Sequence, residues 1–78
     1  MTKDTYLKDR KLLTSLLVHA REQASMTQKQ VSETGIVSQS EISKIENCQR
    51  KVDFLLLLRL ANLYGKDISY FIPDNYKP

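Results

Sequence analysis

Apolar residues along this chain recur mainly at spacings of three and four with polar residues between them, the periodicity of helices that each bury one side. From about residue 5 to residue 23, Tyr6, Leu13, Leu17, Ala20 and Ala24 share one helical face, while Lys8, Lys11, Glu22 and Gln23 lie mostly elsewhere. This predicts a first helix that is long for so short a chain. Thr27 is placed to cap a second helix running through Val31 to about Glu33, and Gly35 breaks it. Ser38 can cap a third helix, which carries Ile42 and Ile45 on one side and ends near Glu46. After a linker over residues 47–52, Asp53 can cap a fourth helix over residues 54–64, in which Leu57, Leu60, Ala61 and Tyr64 fall together and Gly65 marks the stop. A short fifth helix at about residues 68–71 adds Ile68 and Phe71 to the core, Pro73 ends it, and DNYKP remains as a tail.

The expected fold class is therefore all-α, a compact bundle of five helices. Only two glycines and two prolines occur, and no internal repeat or low-complexity stretch divides the chain. Its 78 residues are expected to form one domain, with an extension of the first helix over about 1–11, a core over about 12–72 and a tail over 73–78.

Composition narrows the chemistry. Cys48 is the sole cysteine, so an internal disulfide and a cysteine-based zinc cage are excluded, in keeping with a reducing cytoplasm. The longest apolar run, residues 54–58, is far short of the roughly 20 residues a membrane helix needs. A soluble cytoplasmic protein with no membrane association is expected. Twelve basic against nine acidic residues give a net charge of +3, which suits a polyanionic partner without requiring one. His19 has no ligand or nucleophile pattern near it, Asp53 reads as a helix cap, and no carboxylate pair, phosphate loop or metal set is present. These absences argue against an enzyme and leave no cofactor or small-molecule ligand to expect.

The stretch TQKQVSETGIVSQSEISKIENCQRK, residues 27–51, carries the most information. Two short helices joined by a tight turn, the second with a polar outer face, form the layout of a helix-turn-helix DNA reader. At about 100° per residue, Gln39, Ser40, Ser43 and Lys44 spread over the arc opposite Ile42 and Ile45. Glutamine can pair with adenine, serine with several base edges, and lysine with guanine or a phosphate. Ser38, as cap, leaves backbone N–H groups at the helix start free to meet a phosphate. Taken alone, the same arc also suits an ordinary solvated amphipathic helix. Behind it, Glu46 and Arg21 each border an apolar face, and an ion pair between them satisfies both if those faces meet.

Thr27-Gln28, Ser38-Gln39-Ser40, Ile42-Ser43-Lys44-Ile45-Glu46-Asn47 and Arg50 resemble the Cro and repressor type of helix-turn-helix domain, the lambda-repressor-like family. Leu57-Leu58-Arg59-Leu60-Ala61-Asn62 followed by Gly65 is similar to that family's fourth helix, so the resemblance runs from about Leu13 to Phe71. It implies base contacts from Gln39, Ser40, Ser43 and Lys44. It also implies a phosphate contact from Gln28, which would brace Gln39, and a phosphate clamp from Asn47, Arg50 and Lys51. Arg21 and Glu46 stand where the family often has a structural ion pair.

Three departures mark this chain. The turn glycine, Gly35, sits one residue early, so Gly35 is expected in the left-handed region with Ile36 turned inward. Cys48 replaces the glycine usual after Glu-Asn, and Asn47 is expected to take the left-handed conformation in its place. Glu41 would repel phosphate and is expected at the edge of the interface as a specificity filter.

Helix four carries surplus leucines. Leu55 projects nearly opposite the inner face, with Leu56 and Leu63 flanking it, and helix one adds Leu12, Leu16 and Val18 outside its own core arc. Such a patch points to a partner surface or to a local contact with the termini. Family members commonly pair at this end, which implies a homodimeric transcriptional regulator, such as a repressor, reading a pseudo-palindromic operator in double-stranded DNA. The alternative is a protein-interaction module, for example an antitoxin binding a protein partner, with DNA binding secondary.

Overall fold

The computed structural model describes residues 3–77; Met1, Thr2 and Pro78, the ends of the expected extension and tail, lie outside the described residues. Four α-helices follow in order: α1 (Lys3–Gln23), α2 (Gln28–Glu33), α3 (Gln39–Glu46) and α4 (Phe54–Leu63). The fifth expected helix is instead a 3-10 turn, Ile68–Phe71, and a second 3-10 turn covers Asp74–Tyr76. Four residues before Pro73 are too few to close α-helical hydrogen bonds, and the Asp67 carboxylate accepts from the Ser69 N–H at 2.9 Å to start the tighter turn. Those hydrogen bonds hold the Asp67 carboxyl below its ordinary value.

The caps fall where sequence placed them. Thr27 and Gln30 form a reciprocal capping box on α2, with bonds of 3.1 and 2.9 Å. The Ser38 hydroxyl accepts from the Glu41 N–H at 3.1 Å, and the Asp53 carboxylate accepts from the Leu56 N–H at 2.8 Å. α3 packs on α2 and on α1, while the 3-10 turn Ile68–Phe71 bridges α1 and α4. Between them lie Leu17, Ala20, Val31, Val37, Ile42, Ile45, Leu60, Ala61, Tyr64 and Phe71, all buried.

Two turn expectations divide differently. Gly35 takes φ 81°, a region where a side chain would be strained, and Ile36 is half-buried against the core. The residue that turns fully inward is the next one, Val37. At the end of α3, Asn47 keeps φ −93° and it is Cys48 that takes φ 60°. The Gln49 N–H reaches the Lys44 carbonyl at 2.8 Å, and this bond requires the left-handed residue immediately before Gln49. Asn47 uses its side chain instead, donating from Nδ2 to the Ser43 carbonyl at 2.9 Å.

Tyr6 leaves the expected core face: at 41% exposure it lies near the outer end of α1. The residues expected as a free tail are anchored, because the Tyr76 hydroxyl donates to Asp9 Oδ2 at 2.6 Å.

Tyr64 is buried, and its hydroxyl has no hydrogen-bond partner among the described residues. Burial is the main cause that pushes the phenol from 10.0 up to about 12, with the nearby Glu46 carboxylate adding to it. The fold thus holds this proton more tightly than the unfolded chain does. Its contribution to stability is complete below pH 10.0 and is lost as pH rises through about 12. Tyr64→Phe should therefore match or exceed the parent in stability at pH 7 by up to about 1 kcal/mol. The gap should widen between pH 10 and 12 in denaturant titrations; parallel alkaline curves would contradict this.

Candidate nucleic-acid interface

The outer face of α3 is the centre of the site. Gln39, Ser40 and Lys44 are exposed, Ser43 is half-buried, and Ile42 and Ile45 fix the opposite side in the core. Ser38 is committed as cap and also donates from Oγ to Glu41 Oε1 at 3.1 Å. Three of the four expected base-reading residues therefore share one open surface. Ser43 stands at its border, its hydroxyl 3.5 Å from Asn47 Nδ2.

Behind this face the expected ion pair is present and nearly enclosed. Arg21 Nε donates to Glu46 Oε2 at 2.8 Å and Nη2 to Oε1 at 3.0 Å, with side chains 15% and 4% exposed. The remaining guanidinium nitrogen, Nη1, donates to the Met26 carbonyl at 2.8 Å and ties down the entry to α2. The hydrogen bonds to Glu46 raise the Arg21 guanidinium above its ordinary value against the opposing effect of burial. One bidentate pair thus links α1, the loop before α2 and the end of α3.

Gln28 is a correction to the sequence reading. Its amide Nε2 donates to Glu46 Oε1 at 2.9 Å, so it completes the ion-pair network rather than bracing Gln39. A carboxylate with four acceptor positions inside the domain attracts the nearest donor, and Gln28, in the first turn of α2, is that donor. The neighbourhood of Arg50 holds a second unanticipated contact. Arg50 Nη1 lies 3.8 Å from Glu41 Oε2, both side chains being about half exposed, because the loop after α3 returns alongside that helix.

Two further groups support this loop. Arg10 Nη2 donates to the Cys48 carbonyl at 3.3 Å, and the Lys51 ammonium sits 5.5 Å from the centre of the Tyr6 ring. Both come from the N-terminal half of α1, and nothing in local spacing ties residue 10 to residue 48.

Among the partner-surface residues, Leu55 is 60% exposed as expected, but Leu56 and Leu63 are half-buried against the core. The exposed neighbours are instead Phe54, at 68%, and Leu58. Leu16, read as outside the core arc, also packs against the core, whereas Leu12 stays exposed. His19 is exposed. Among the described residues no group of side chains could hold a metal ion, and no helix is long and apolar enough to cross a membrane.

A capped pair of short helices, a polar outer face on the second and a buried ion pair behind it define a helix-turn-helix domain. The chain belongs to the Cro/repressor (XRE-like) helix-turn-helix family, whose model, described as Helix-turn-helix, matches residues 18–71. The chain is accordingly a DNA-binding domain of the kind used in transcription regulation. No curated protein and no solved structure matches it.

Glu41 and Arg50 together predict a measurable restraint. Glu41→Gln should free Arg50 and remove a negative charge beside the reading face, raising affinity for any duplex about three- to tenfold at low salt, with the gain fading as salt rises. Fluorescence anisotropy on two unrelated duplexes reads this. An unchanged affinity would mean that Glu41 does not restrain Arg50.

Proposed function

We propose that this domain is a sequence-specific regulator of transcription that binds double-stranded DNA as a homodimer and lays α3 in the major groove of each half of a pseudo-palindromic operator. Gln39, Ser40 and Lys44 contact bases with Ser43 at the border, while the start of α3 at Ser38, together with Asn47, Arg50 and Lys51, contacts phosphates. One observation carries this reading. Around α3, the side chains of Ser38, Glu41, Glu46, Asn47 and Gln28 are all engaged within the domain, whereas those of Gln39, Ser40 and Lys44 make no hydrogen bond or ion pair among the described residues. A rigid frame therefore presents an uncommitted amide, hydroxyl and ammonium on one exposed surface.

Selection of bound sequences from a random duplex pool tests this directly. A consensus made of two inverted halves about one helical turn apart is expected. Failure to enrich any sequence would overturn it and favour the second reading, a module that binds a partner protein and for which DNA is secondary. The exposed Phe54, Leu55 and Leu58 are what favour that reading.

The same patch is the proposed dimer surface. Leu55→Lys should weaken self-association at least tenfold in sedimentation, because it sets a charge inside an apolar contact. A dimer of unchanged strength would move the interface elsewhere.

A further inference from the structure

Away from the reading face, a groove of about 390 Å³ lies between the N-terminal half of α1, the loop after α3 and the C-terminal 3-10 turn. That is within the range of small-molecule sites, about 300–1,000 Å³. Its floor is apolar, formed by residues such as Leu13, Val52 and Phe71. Its rim is cationic: Arg10, Arg50 and Lys51 line it against one acid, Asp9, and that carboxylate already accepts the Tyr76 hydroxyl. An apolar floor beneath three cations does not match the DNA backbone, which is charged and hydrated throughout its length. It matches a compact molecule with a hydrocarbon body and a single anionic head.

We propose that this groove binds one small amphiphilic carboxylate, its apolar body on Leu13, Val52 and Phe71 and its head paired with Arg10 and Lys51. Much of the wall, from Tyr6 to Leu17 and again at Pro73 and Tyr76, lies outside the family match over 18–71, whereas Arg50, Lys51, Val52 and Phe71 lie within it. Arg50 and Lys51 face both this groove and the proposed phosphate contacts. A bound head therefore draws Lys51 from DNA and makes the ligand an inducer, a coupling that rests on the DNA-binding reading above.

Decanoate is the probe, titrated below its micellar range into the full chain without DNA and followed by amide and methyl chemical shifts. Saturable one-to-one binding is expected, with shifts centred on Leu13, Val52 and Phe71. Thr14→Phe, which fills the wall, and Arg10→Gln, which removes part of the head's counter-charge, should each weaken binding about tenfold or more while thermal melts report an intact fold. Uncharged decanol should bind at least tenfold more weakly than decanoate. Non-saturating association, equal binding by the two variants, equal binding of decanol, or concentration-dependent shifts without ligand that show a second copy in the groove would each overturn the site. With a selected duplex, decanoate should reduce the parent's affinity for DNA and leave that of Thr14→Phe unchanged. Binding of decanoate without effect on DNA would overturn the coupling alone. Failure of the chain to bind any duplex would overturn the DNA reading while the ligand titration still decides the site.

Discussion

Glu46→Gln should cost the fold about 3–5 kcal/mol, the usual consequence of removing one partner from an enclosed ion pair. Glu46 accepts from both Arg21 and Gln28, and its side chain is almost wholly enclosed, so the substitution leaves the Arg21 guanidinium without a counter-charge. A domain of this length has a total stability on the order of 4–12 kcal/mol, so the substitution should remove at least about a quarter of it. Chemical denaturation read by circular dichroism gives the value. The double replacement Arg21→Met with Glu46→Leu should recover most of the loss, because two apolar groups need no counter-charge. Recovery should be incomplete, since the Met26 carbonyl then lacks the donor it has at 2.8 Å in the parent. A Glu46→Gln variant that melts like the parent but fails to bind DNA would show that the pair serves recognition rather than scaffold.

The largest effect on recognition is expected from Gln39→Ala. A good bidentate base contact is worth about 1–3 kcal/mol of discrimination, and a two-half-site operator makes it twice, so about 2–6 kcal/mol of preference should disappear at one position of each half-site. Stability should hardly change, because the Gln39 side chain is exposed and makes no hydrogen bond or ion pair among the described residues. Arg50→Ala should behave differently, weakening binding to all sequences alike and lowering the slope of log affinity against log salt by about one per half-site. Repeating the random-pool selection on both variants, with salt titrations on one fixed duplex, separates the two patterns. If both variants lose affinity uniformly, Gln39 is not reading a base.

Much of the scaffold was legible because it depends on short-range rules. Thr27, Ser38 and Asp53 each precede an apolar periodic segment by the one residue a cap requires, and the structure uses all three. The glycine at 35 could be assigned a positive φ from its isolation between two helices. The left-handed residue after α3, expected at Asn47, is Cys48 for a reason that is not local. Whether the left-handed residue falls at 47 or 48 depends on where α3 takes its last regular turn, and the packing of Ile45 in the core decides that. Asparagine's tolerance of the conformation is a preference of about 1 kcal/mol, too small to override the register of a buried helix.

Polar partners were legible only where both faces were already known. Arg21 and Glu46 could be matched because each borders an apolar stripe, whereas nothing in local spacing sets Gln28, read through the resemblance as a phosphate contact, beside Glu46. The Arg50 contact with Glu41 depends on the path of a loop with no periodicity. Arg10 to Cys48 and Tyr76 to Asp9 span 38 and 67 residues, and no spacing rule reaches so far. By itself the sequence determined four of the five helices expected from it, the caps of three of them and the inward faces of α3 and α4, because these follow from backbone geometry repeated every few residues. Tertiary structure alone decided that Gln28 faces Glu46 and that Phe54, Leu55 and Leu58 rather than Leu56 and Leu63 stay open. It likewise decided that the first helix and the chain's end close a groove beside Arg50 and Lys51. Those outcomes depend on which surfaces meet when helices distant in the chain pack together.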